Sequence, residues 1–241
     1  DRFIRFGDAR DLAELAGTQK EEWARAKRVD TRELYAWGKL VDGLRRVSLA
    51  LRLIRPREAM EAAYDLRRHI AEEFMGKPRE AHIVPLYSLL QAVSQAFEPI
   101  ALKVPHVEDL GRQRNLIRWY ADHEQYVQAM ALAREWMVSW AMLCQGMADI
   151  YSREQRGRAE ERLNVWARQT SGREHASDEP ALPPAITPQV LQLWEQISER
   201  RNDLLHAGMR HPGHRVGETA QGHRSSRQRA GETAPARRGS M

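Results

Sequence analysis

The chain has 241 residues, is 42% hydrophobic with a mean hydropathy of −0.66, and carries a formal net charge of +5. That length suffices for one large or two small domains with a genuine core, and no run approaches the roughly 18 apolar residues that would cross a bilayer. A single cysteine, Cys144, leaves no internal disulfide and no thiolate-chelated metal site, so the expectation is a reduced, cytoplasmic protein with no membrane partner. No signal peptide precedes the first element, and the opening on Asp1 rather than Met reads as a fragment or a processed product.

The charge is not spread evenly. Residues 207–241 hold seven Arg and two Glu and therefore the whole excess of +5, while residues 1–206 balance to zero. A basic field informs on partners only where it sits, so the body has no global attraction for nucleic acid.

The body reads as helix throughout. Asp8 is placed to cap a short helix over residues 9–16 that Gly17 closes. From Lys20 to Ile54, Trp23, Leu34, Trp37, Val41, Leu44, Val47, Leu51 and Ile54 recur mostly at three- and four-residue spacings, the period of an amphipathic helix. Asp30-Thr31 is the natural point for that pattern to break and be capped again. Pro56 suits the first turn of the next helix, which runs toward Met75 and stops at Gly76-Lys77-Pro78. Pro85 opens another, with Leu86, Leu89, Leu90, Val93 and Phe97 on one side and an end near Glu98-Pro99.

A polar stretch with Pro105 and Gly111 follows, and composition puts a domain boundary there. A short helical pattern over residues 116–121 leads to a long one over residues 124–151. Its wide apolar stripe includes Met130, Trp136, Met137, Trp140, Met142 and Leu143; it reads as core, or as core and subunit contact together. Residues 158–169 form a charged helix, and residues 170–187 are loop by their prolines and small polar residues. Thr187-Pro188 begin the last helix as cap and first-turn proline, its buried face set by Val190, Leu191, Leu193, Trp194, Ile197, Leu204 and Leu205, and Gly208 stops it. Beyond, residues 211–241 are rich in Gly, Arg, Ser and Ala and repeat Gly-Glu-Thr-Ala at 217–220 and 231–234; such a composition reads as a disordered tail. No period-two strand, Gly-rich phosphate loop or His-Glu-x-x-His stands out, so nucleotide-cradling and metal-hydrolase chemistries have no residues to rest on.

What remains is Arg201-Asn202-Asp203-Leu204-Leu205-His206. In a chain this rich in arginine, with nine histidines, chance alone supplies about one Arg-x4-His match, so the spacing needs context. A second match occurs at Arg118 and His123. The first lies in the last turns of a well-marked helix; the second has Trp119 after its arginine and a histidine ahead of a new helix start, and reads as surface or hinge.

The stretch from Arg201 to Met209 closely resembles the catalytic helix of HEPN domains in CRISPR-associated CARF–HEPN ribonucleases of type III systems. Tyr120-Ala121-Asp122-His123-Glu124-Gln125-Tyr126 and the residues after it resemble the first long HEPN helix of those proteins, and residues 1–110 the segment that joins their sensor domain to HEPN. With the helical periodicity of the body, the resemblance implies an all-α fold, a helical linker subdomain over residues 1–110 and a HEPN domain over residues 111–210; the disordered tail over residues 211–241 is read from composition and departs from the family, whose chain usually continues there as helix. The resemblance further implies metal-independent cleavage of single-stranded RNA, with no cofactor, at a composite site in a homodimer. His206 would be the general acid/base, Arg201 the transition-state cation and Asn202 an orienting group. Cyclic oligoadenylate would act only through a sensor domain that this chain lacks. Two other readings stand beside it: a non-catalytic helical dimer or RNA-binding scaffold, and a HEPN toxin of a toxin–antitoxin pair, against which the large amino-terminal half argues.

Overall fold

The computed structural model describes residues 9–26, 31–75, 84–103, 110–147, 149–173 and 181–206. Eight helices fill them in order: α1 (Arg10–Ala26), α2 (Thr31–Arg52), α3 (Pro56–Glu73), α4 (Val84–Phe97), α5 (Leu110–Asp122), α6 (Tyr126–Cys144), α7 (Arg153–Thr170) and α8 (Pro188–Leu205). The fold is all-α, as expected, and among the described residues there is no strand. No helix of the described residues is long and apolar enough to cross a membrane. The expected cap at Asp8, the stops at Gly76 and Gly208, and the tail over 211–241 lie outside the described residues.

The chain divides into two compact units, residues 1–159 and residues 160–241, and the division falls inside α7. Contact division and the compositional boundary near residue 110 thus fall at different places.

The first unit is built on the stripe read from Trp23 to Ile54. Trp37, Val41, Leu44, Val47 and Leu51 of α2 are buried, and α1 and α3 pack on either side of it. Gly43 lets α3 come close: a Cβ there would sit 3.0 Å from Leu66 Cδ1. Trp37, 1% exposed, makes edge-on contacts with Trp23 (5.0 Å between centroids) and Phe74 (4.9 Å), so one indole joins α1, α2 and the end of α3. Polar links follow the same pattern. His69 Nε2 donates to Ala36 O (2.8 Å), Arg67 Nε to Ser94 O (2.8 Å), and the buried Tyr120 hydroxyl to Leu51 O (2.7 Å), where it satisfies a carbonyl at the end of α2. Burial pushes the Tyr120 hydroxyl well above its usual range, so it remains a donor. Arg156 ties the start of α7 to α6 through Glu135 Oε2 (2.6 Å) and Ser139 Oγ (2.8 Å).

Four boundaries differ from the sequence reading. α1 continues through Gly17 to Ala26: a mid-helix glycine costs only about 1 kcal/mol, and burial of Ala13, Ala16 and Trp23 along one face outweighs it. α5 starts at Leu110, so Gly111 is helical rather than loop. α6 ends at Cys144, with Gly146 in the left-handed region (φ 74°), instead of running to Tyr151. α7 begins at Arg153, five residues before the expected start.

Two non-glycine residues also adopt positive φ, Ile54 (53°) and Glu124 (58°). Both close a helix: Arg55 N–H reaches back to Ala50 O (2.9 Å), and Gln125 N–H to Tyr120 O (2.8 Å). Ile54 also packs against the core, whereas the Glu124 side chain is exposed and contributes nothing that offsets its backbone strain. Glu124→Gly should therefore stabilise the protein by about 1 kcal/mol. That corresponds to a melting-temperature rise of about 2–4 °C, and an unchanged or lower melting temperature would refute the strain argument.

Candidate functional site at the end of the last helix

α8 begins where the sequence placed it, with Pro188 in its first turn, but Thr187 makes no side-chain capping bond. Leu191 and Trp194 are buried, and Trp194 Nε1 donates to Asn164 Oδ1 (2.9 Å) of α7. Arg173 pairs with Glu195 at 3.3 Å, a second link within this unit.

The Arg-x4-His segment occupies the last turns of α8. Arg201 is half-buried, and its Nη1 donates to Asn202 Oδ1 at 3.0 Å, so two of the three expected site residues meet. The contact holds one edge of the guanidinium and leaves the outer donors of the fork for another acceptor. His206 is the carboxyl-terminal cap residue (φ −93°, ψ 12°), with its backbone N–H on Asn202 O (2.9 Å). Its ring is exposed and bonds to neither Arg201 nor Asn202. Five positions apart, Arg201 and His206 diverge by roughly 140° about the axis, so one helix does not bring them together by itself.

The burial expected of this turn is corrected. Leu205 is 51% exposed and Leu204 only half-buried; the buried residue is Asp203, at 8% exposure. Its Oδ1 accepts no hydrogen bond, and Arg201 Nε and Ser198 Oγ, likewise buried, have no partner. Asp203 lies about 180° around the helix from Trp194, off the apolar stripe, which is why periodicity could not mark it.

The second motif is also corrected. His123 does close a helix: α5 ends at Asp122 and His123 N–H bonds to Trp119 O (3.1 Å). Helix-end setting alone therefore does not separate the two motifs. Side-chain surroundings do. His123 lies against the Trp119 ring at 4.0 Å, and its Nδ1 donates to Trp119 O (2.7 Å), while the exposed ring of His206 has no partner among the described residues. Arg118 is exposed, as expected.

Elsewhere chemistry is sparse. No group of three or more His, Cys, Asp or Glu among the described residues is arranged to hold a metal ion. Burial pushes the Cys144 thiol up, which makes it a poorer nucleophile than a free cysteine. A shallow groove of the first unit, between Leu12, Leu15, Leu40, Leu44, Leu90 and Val93, is apolar and offers no reactive group. Neither a protein-family model nor a curated protein sequence matches this chain.

Proposed function

We propose that the chain is a metal-independent endoribonuclease acting on single-stranded RNA in CRISPR type III defence, as its resemblance to CARF–HEPN ribonucleases implies. The observation that carries the reading is the end of α8, where a tethered guanidinium and an exposed imidazole occur within one Arg-x4-His segment. In the reaction, His206 accepts the proton of a ribose 2′-hydroxyl while the 2′-oxygen bonds to the adjacent phosphorus. The bond from phosphorus to the 5′-oxygen breaks, that oxygen takes a proton from a second histidine, and the products are a 2′,3′-cyclic phosphate and a 5′-hydroxyl. Arg201 offers its planar fork to the phosphorane oxygens, whose charge grows in the transition state. The angular separation of Arg201 and His206 favours a homodimer: a two-fold axis beside the ends of two α8 helices supplies two arginines and the second histidine.

The test is direct. The full chain is incubated in EDTA with single-stranded RNA and with the same RNA carrying a 2′-deoxynucleotide at the cut position. Cleavage of the first alone, with cyclic phosphate ends and a dimer by sedimentation, is the expected result. Cleavage that requires a divalent ion, or that ignores the missing 2′-hydroxyl, refutes the mechanism. Absence of cleavage leaves the helical scaffold reading.

A further inference from the structure

Asp203, at the end of α8, takes no part in the reaction above. One oxygen of its carboxylate, Oδ1, is buried without a hydrogen-bond partner, and a polar atom so placed in a folded protein demands an explanation. Its possible partners on the same helix are few. Arg201, with its unpartnered Nε, and Ser198, with its unpartnered Oγ, lie about 160° and 140° around the axis from Asp203, and Arg201 Nη1 is engaged with Asn202. Arg200, three residues before, already has a partner of its own. His206, three residues after, falls on the same face at the distance of a turn, and its ring has no partner among the described residues.

We infer that Asp203 is a positioning residue for this site: its carboxylate accepts a hydrogen bond from the His206 ring and fixes which ring nitrogen faces outward. His206 is exposed at the helix end, and the contact calls for a rotation of its side chain toward Asp203. The pairing does two things. It gives the buried Oδ1 the donor it lacks, and it selects one imidazole tautomer with the remaining nitrogen free for a proton. Asp203 touches no reacting atom; it acts through His206. The proposed role in catalysis rests on the ribonuclease reading above, but the pairing itself does not.

A double-mutant cycle on the full chain separates the two. Asp203→Asn, His206→Ala and the double variant are melted beside the wild type, and the His206 ring nitrogens are followed by 15N NMR in the first and the wild type. His206→Ala should lower the melting temperature of the wild type by a few degrees and leave that of Asp203→Asn unchanged, because the partner is already gone. One tautomer should dominate in the wild type, and the two should approach equal populations in Asp203→Asn. In the cleavage assay the Asp203→Asn substitution should lower kcat about ten- to a hundredfold with little change in KM. Additive melting shifts, or a tautomer ratio that Asp203→Asn does not alter, overturn the inference. If the wild type cuts no RNA, the ribonuclease reading fails while the cycle still decides the pairing.

Discussion

His206→Ala should reduce metal-free RNA cleavage by about 10²- to 10⁴-fold, the range expected when a general acid/base is removed. His206 is exposed and lies outside the apolar core, so the loss should come with no more than a few degrees of melting temperature and without unfolding at the assay temperature, and an unchanged circular-dichroism spectrum checks this. Arg201→Ala should cost about 10²- to 10³-fold, as for other groups that stabilise transition-state charge. Arg201→Lys should recover little of it: an ammonium is a point charge and cannot offer phosphate a planar fork, nor keep the same contact with Asn202. Undiminished cleavage by His206→Ala or by Arg201→Ala would remove the assigned roles. Equal loss on Arg118→Ala and His123→Ala would move the site to α5 instead.

The largest effect on stability is expected at Trp37. The indole is 1% exposed and sits edge-on between Trp23 and Phe74. Truncation to alanine removes buried area, leaves a cavity shared by three helical segments and loses both aromatic contacts. The expected cost is about 3–5 kcal/mol, against a total that is typically about 5–15 kcal/mol for a domain. Urea titration of Trp37→Ala should show a midpoint lowered by a third or more, and a loss below about 1 kcal/mol would mean that the site collapses to fill the space. Leu15, 57% exposed, provides the control: its truncation should change the midpoint little.

The stripe from Trp23 to Ile54 was legible because apolar spacing of three and four is a local property of the chain. Pro56 and Pro188 marked helix starts for a similar reason, since the fixed φ of proline suits a first turn wherever the remainder of the protein lies. Less legible were the ends that tertiary contacts override. Gly17 looked like a stop and is helical, because the buried face of α1 continues to Trp23. The apolar character of α6 continued toward Tyr151, yet the helix stops at Cys144, where Met147 N–H turns back to Met142 O (2.9 Å) through the left-handed Gly146.

The candidate site shows the same division. From the sequence alone came the helical class and the presence of Arg201, Asn202 and His206 at the close of the final helix. Both depend on residue spacing and on the conformational preferences of single residues. Tertiary structure alone decided that Asp203 is buried while Leu205 is exposed, that His123 rests on Trp119, and that Asn202 holds Arg201. Burial away from an apolar stripe depends on what the rest of the chain folds against that turn, and a period of 3.6 residues carries no information about it.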